Sequence, residues 1–355
     1  MRKMKKVMAA MLAATMALSM GMIAFGMQGT NPTGFTKKYT TVGEGAENPA
    51  DTFVFSFTFD HMEHTSKGTV APTIDNASVS FNKGQANSSG VELPVSLDLS
   101  NAGWTSQGIY YYKVKEVIPT TKTAGVSYDE NKEGILKVTV AHDGDSDKYT
   151  AFVTLTLNDE NNNGQTDSKV AGFENTYSSG LLKIKKTLAG NMADATQYFK
   201  IKVVFTSPED GSAVKSEIKY TGGSGDHLVN AAVAVAANTT GWTGDAEPVE
   251  FELKGGDTMT FTNIPAGVKY TVSEIDYSED ALIEENKLGY ETSYTNNKNT
   301  GSIVANNEDL VEVVNTKGVT VDTGITLDNA PYILVLVIAV LGMFGFVFKK
   351  RSSEF

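Results

Sequence analysis

Phe53-Val54-Phe55-Ser56-Phe57-Thr58-Phe59 places an aromatic ring at every second position. A period of two is that of an extended strand with one face buried; a helix would repeat every 3.6 residues. The same pattern returns at Phe199, Ile201, Val203 and Phe205. Leu136–Val140 and Phe152–Leu157 alternate likewise and flank the turn-rich Asp143-Gly144-Asp145-Ser146-Asp147, which predicts a hairpin. Short strands punctuated by Gly, Asn and Asp predict an all-β chain of two tandem β-sandwich domains, at 30–178 and 181–317. Ser178-Ser179-Gly180 reads as the short linker between them. Ala231–Ala237 is apolar without a readable period, and Ala281–Leu288 reads as a helical turn in a crossover.

Composition agrees with a globular body: 41% of the 355 residues are hydrophobic and 20% charged, which is too apolar for a disordered chain. The absence of cysteine excludes disulfides, thiolate metal sites and a cysteine nucleophile. A formal charge of −12 argues against nucleic acid as a partner, since such binding rests on Lys and Arg neutralising phosphates.

The two ends read as targeting segments. Arg2, Lys3, Lys5 and Lys6 precede an apolar run from Val7 to Phe25, and Ala24-Phe25-Gly26 offers a small-x-small site, so residues 1–26 read as a secretory signal peptide. At the other end, Pro331–Phe348 carries no charge and is followed by Lys349, Lys350 and Arg351. Eighteen residues at about 1.5 Å each roughly match a ~30 Å hydrocarbon layer, and the cations would keep that end cytoplasmic. The body is therefore expected outside the cell. Thr320-Val321-Asp322-Thr323-Gly324 lies just upstream. A Thr-Gly pair, a span and a basic tail over 319–355 resemble the cell-wall sorting signal of Gram-positive surface proteins. That resemblance implies cleavage by sortase between Thr323 and Gly324; Thr320 and Val321 stand where the usual motif has Leu and Pro. Removing both ends takes four cations from the front and a net +1 from the back, which leaves −17.

Three polar residues recur in the two halves in the same order and the same apolar frames. Lys37 sits in Phe35-Thr36-Lys37-Lys38-Tyr39, and Lys186 in Ile184-Lys185-Lys186-Thr187-Leu188. Glu116 follows Tyr112 and Val114 with a spacing of two, as Glu274 follows Tyr270 and Val272. Asn175 follows Phe173, and Asn315 follows Val313, each with a Thr next in line. Alternation puts all six on the apolar faces of their strands. Burial would make such a lysine easier to deprotonate and such a glutamate easier to protonate. A neutral amine can attack an Asn side-chain amide while the carboxyl shuttles protons, expelling ammonia and leaving a Lys–Asn amide.

These frames, with the sorting tail, resemble the major (backbone) pilins of Gram-positive bacteria, built of immunoglobulin-like Cna-B-type domains closed by internal isopeptide bonds. The resemblance implies the cross-links Lys37–Asn175, assisted by Glu116, and Lys186–Asn315, assisted by Glu274. It implies a covalently polymerised pilus shaft subunit, with identical pilin subunits, minor pilins, sortase, peptidoglycan and host surface ligands as partners. Its alternative is a monomeric wall-anchored adhesin built of the same domains. It also implies a polymerisation lysine shortly before the first asparagine, where Lys169 stands, although no Tyr-Pro-Lys motif is present. No turnover enzyme, cofactor or metal is expected. Asp159–Gly164 imitates a calcium loop, but Val170 occupies the twelfth position, where a bidentate Glu belongs.

Overall fold

Along Gly34–Val42, the first strand (β1), Phe35, Lys37, Tyr39 and Thr41 are buried while the residues between them are part-exposed. The two-residue period thus builds a sandwich strand. The computed structural model describes residues 34–318 except 100–101, 131, 143, 145–148 and 158–171. The following strands are β2 (Asp51–Glu63), β3 (Ala77–Phe81), β4 (Val91–Ser96), β5 (Gly108–Val117) and β6 (Val126–Ser127). Next come β7 (Glu133–His142), β8 (Tyr149–Leu157) and the long β9 (Gly172–Ala189). The C-terminal half contributes β10 (Tyr198–Thr206), β11 (Ile218–Gly222), β12 (Val229–Val235), β13 (Val249–Lys254) and β14 (Thr258–Pro265). It ends with β15 (Lys269–Glu274), β16 (Glu291–Tyr294), β17 (Thr300–Ser302) and β18 (Glu308–Thr316). The described residues are nearly all β, with a few single 3₁₀ turns.

One sheet runs β3-β2-β5-β7-β8, a second β13-β10-β15-β17, and a third β12-β11-β14-β9-β1-β4 with β6, β16 and β18 attached. The third sheet spans both halves because β9 does. Its first part pairs in parallel with β1 (Thr36↔Gly172 to Val42↔Ser178) and its second part in parallel with β18 (Glu308↔Leu181 to Thr316↔Ala189). Three hydrophobic clusters follow: an aromatic one around Phe35, Phe55, Tyr110 and Phe173, an aliphatic one around Ile184, Ile201, Val272 and Val313, and a small aromatic one of Phe199, Tyr277 and Tyr290.

The 136–157 hairpin forms as β7 and β8, with Val138 opposite Val153. Three readings change or sharpen. Ser178-Ser179-Gly180 is no linker loop but the middle of β9, where small residues serve close packing. A Cβ on Gly180 would meet the Val304 carbonyl oxygen at 2.5 Å. Ala231–Val235 belongs to a strand, β12, and within Ala281–Leu288 a 3₁₀ turn forms at Glu284–Asn286. The halves also clasp each other directly. Ala124 is buried in the second cluster, with its N–H on the Ala213 carbonyl at 2.9 Å. Asp51, buried at the start of β2, accepts from Lys215 Nζ at 3.0 Å and from Thr123 Oγ1 at 2.9 Å.

The expected signal peptide (1–26), Lys169, the Thr323-Gly324 site and the 331–348 span lie outside the described residues. Among the described residues no helix is long and apolar enough to cross a membrane.

Candidate functional site

In the parallel pairing of β1 with β9, Lys37 stands opposite Phe173 and Tyr39 opposite Asn175, so Asn175 lies two residues beyond Lys37 on the same face. Glu116 reaches in from β5 of the facing sheet, where it pairs with Phe55. Lys37 Nζ donates to Glu116 Oε2 at 2.7 Å, and Asn175 Nδ2 donates to Glu116 Oε1 at 2.6 Å. The lysine and glutamate side chains are 0% and 1% exposed.

The second half repeats the register. Lys186 stands opposite Val313 and Leu188 opposite Asn315, while Glu274 on β15 pairs with Ile201. Lys186 Nζ donates to Glu274 Oε2 at 2.6 Å, both side chains being fully buried. Asn315 is also fully buried, and neither Oδ1 nor Nδ2 has a hydrogen-bond partner among the described residues. An orphaned buried amide is costly and calls for a reason. Lys38 and Lys185, the neighbours that alternation turns outward, make part-exposed ion pairs with Glu174 and Glu312 at 2.9 and 3.0 Å.

Each buried ammonium lies over an aromatic ring. Lys37 Nζ is 4.8 Å from the centre of Phe53, and Lys186 Nζ is 4.5 Å from that of Phe199. Phe53 and Phe199 are equivalent: each stands two residues before the one opposite the glutamate. The alternating aromatic pattern contained this signal, but reading it as core alone misses its contact with the amine. Burial pushes the Lys37 pKa down against the pull of Glu116, and it brings Lys186 down to about 8 against the pull of Glu274.

Further residues escape a sequence reading. The Asp129 N–H donates to Asn175 Oδ1 at 3.2 Å, and its carboxylate accepts from the Glu174 N–H at 2.7 Å. Thr292 Oγ1 donates to Glu274 Oε1 at 2.8 Å, and Tyr294 OH accepts from the Glu274 N–H at 3.1 Å. Asp129 lies in a turn and Thr292 in a four-residue strand, where no periodicity marks them. No group of three His, Asp or Glu side chains among the described residues is placed to hold a metal ion. Chemically, the first triplet offers a dry amine of lowered basicity and an amide whose oxygen faces an N–H. Its carboxyl touches both the amine and the amide nitrogen.

Residues 180–317 match a family described as a domain of unknown function (DUF7601). The crystal structure of the major pilin from Streptococcus pyogenes superposes with a TM-score of 0.52 at 21% identity, covering 82% of this chain and 100% of that one. The fold is that of a streptococcal major pilin. A second major pilin of that species, T3.2, gives a TM-score of 0.50 at 18% identity over 81% of this chain and 98% of that one. In sequence, a pilin of S. pyogenes serotype M1 is 27% identical over 276 residues, which are 76% of this chain and 74% of that protein. The similarity to pilins thus extends across both triplet-bearing halves.

Proposed function

We propose that this chain is a structural subunit of a covalently polymerised pilus shaft, made of two immunoglobulin-like domains, 30–178 and 181–317, each closed by a self-formed Lys–Asn bond. The observation that carries this reading is the enclosed Lys37–Glu116–Asn175 triplet, whose strand register Lys186, Glu274 and Asn315 repeat. In each, the amine attacks the Asn Cγ. The carboxyl accepts a proton from the lysine nitrogen and returns one to the departing Nδ2, so that an amide forms and one ammonia leaves. Proximity supplied by folding can be worth ~7–11 kcal/mol of the barrier. The reaction runs once per domain, which makes it maturation rather than turnover.

In this reading the signal peptide exports the chain, and the 331–348 span holds it for sortase. Sortase cleaves between Thr323 and Gly324 and passes Thr323 to a lysine of the next subunit, with Lys169 as the candidate. The mature protein resides at the cell surface. Similarity to pilins and the nearly all-β fold support the shaft role; the buried triplets support the cross-links.

Intact mass of the recombinant body is the test. We expect a deficit of one ammonia per domain, with the first lost from Glu116→Ala and the second from Glu274→Ala. An unshifted wild-type mass rejects the cross-links. In the producing cell, a high-molecular-weight ladder in wall extracts that collapses on Thr323→Ala is expected of a shaft subunit, and a single band of monomer size rejects that role.

A further inference from the structure

The two triplets are not equivalent, and the difference centres on one hydroxyl. In the first, the reacting amide is held from both sides: Asn175 Oδ1 by the Asp129 N–H and Nδ2 by Glu116 Oε1. In the second, the matching carboxylate oxygen, Glu274 Oε1, is taken by Thr292 Oγ1, and the Asn315 amide is held by nothing among the described residues. The register explains the competition. Thr292 on β16 stands directly opposite Asn315 on β18, and directly opposed residues of antiparallel strands share a face. In the first half Ser127 stands opposite Thr176, so the position matching Thr292 is that of Tyr128. Its hydroxyl is turned away to accept from the Thr123 N–H at 3.1 Å, which leaves Glu116 to the asparagine.

We infer that Thr292 is a positioning residue that delays the second cross-link by occupying the carboxylate oxygen that must meet Asn315. This rests on the cross-link chemistry proposed above. Glu274 Oε2 accepts a proton from Lys186, but returning one to Asn315 Nδ2 requires a carboxyl oxygen within hydrogen-bond reach of that nitrogen. While Thr292 donates to Oε1, neither proton delivery nor alignment of the amide is in place. Release of that hydroxyl to water, which its exposed position on β16 permits, lets Glu274 engage the amide as Glu116 does. The N–C bond to Cγ then forms, the Cγ–Nδ2 bond breaks and ammonia departs. The first half, already assembled, has no such step.

The test follows both bonds in the full chain during cell-free synthesis. Samples are quenched in acid denaturant, digested, and the Lys37–Asn175 and Lys186–Asn315 cross-linked peptides quantified by mass spectrometry. The first half leaves the ribosome on the order of ten seconds earlier, so the decisive comparison is among Thr292 variants. Thr292→Val, which removes the donor and keeps the shape, is expected to accelerate the second bond several-fold and leave the first unchanged. Thr292→Ser restores the delay. A second bond that is unaffected or slowed in Thr292→Val, or that forms as fast as the first in the wild type, overturns the inference while leaving the cross-links standing. Absence of both cross-linked peptides rejects the underlying chemistry, and this inference with it.

Discussion

An ammonium in a dry core is costly unless its partner is close, and Lys186 shows how far the protein moves its proton affinity. Its pKa falls from the ordinary 10.5 to about 8 because burial outweighs the attraction of Glu274. Between those values the unfolded chain holds the proton more tightly than the folded one. Stability therefore rises with pH through that window, and below pH 8 the full penalty, on the order of 3 kcal/mol, is present. The effect belongs to the unreacted lysine, so it should appear in Asn315→Ala. Compared with Asn315→Ala carrying Lys186→Met and Glu274→Leu as well, its stability deficit in denaturant melts should narrow from pH 8 to pH 10.5. A constant gap would show that the lysine keeps its ordinary affinity. Phe199, which covers the amine and packs edge-on against Tyr277 and Tyr290 at 5.2 and 5.0 Å, serves both core and site. In the Glu274→Ala background, Phe199→Ala should cost about 3–5 kcal/mol by chemical denaturation.

Among the elements, β9 carries the organisation. It supplies Asn175 to the first triplet and Lys186 to the second, eleven residues apart on one strand, or about 36 Å at ~3.3 Å per residue. It pairs in parallel with β1 before its middle and with β18 after it, which is why both triplets share one register. Gly180, at the changeover, has no room for a side chain, since a Cβ would meet the Val304 and Asn307 carbonyl oxygens at 2.5 and 2.8 Å. Gly180→Ala should therefore destabilise the protein by about 1–3 kcal/mol, as seen in the thermal melt of a cross-link-free Glu116→Ala/Glu274→Ala background. Ser178→Ala, with a part-exposed side chain nearby, should change it little.

At the scale of the whole molecule, the proposed bonds define a route for tension. Force entering near Lys37 would cross to Asn175, run along β9 to Lys186, cross to Asn315 and leave near Gly318, bypassing the strands enclosed by each bond. Each closed loop exceeds a hundred residues, so each bond should also add on the order of 4–5 kcal/mol by restricting the unfolded chain, by analogy with a disulfide. Pulled by its ends in a single-molecule instrument, the wild type should show no domain-sized extension. Glu116→Ala should release one step of about 480 Å, the length of the enclosed 138 residues at ~3.5 Å each. A wild type that extends in two such steps would remove this mechanical account. Asp51, whose carboxyl burial pushes upward while Lys215 opposes it, joins the halves across the junction. In the Glu116→Ala/Glu274→Ala background, Lys215→Met should leave the buried Asp51 carboxyl without its cation and separate the unfolding of the two halves, detectable as a split calorimetric transition.

The strands, their buried faces and the inward placement of Lys37, Glu116, Asn175, Lys186, Glu274 and Asn315 were legible in the sequence, because a period of two fixes which side chains point inward once a strand forms. Phe35, Lys37 and Tyr39 had to share a face, and the same frame around Lys186 marked its counterpart. Chain composition likewise excluded cysteine chemistry outright. What the sequence by itself could not settle depends on pairing between strands far apart in the chain. Serines and a glycine read locally as a linker, yet neighbours on both sides make them the middle of β9. Asp129 and Thr292 carry no pattern of their own, and they matter only because tertiary register sets one beside Asn175 and the other opposite Asn315. A side chain's direction is a local property of the backbone, whereas its partner is decided by long-range hydrogen bonding and packing.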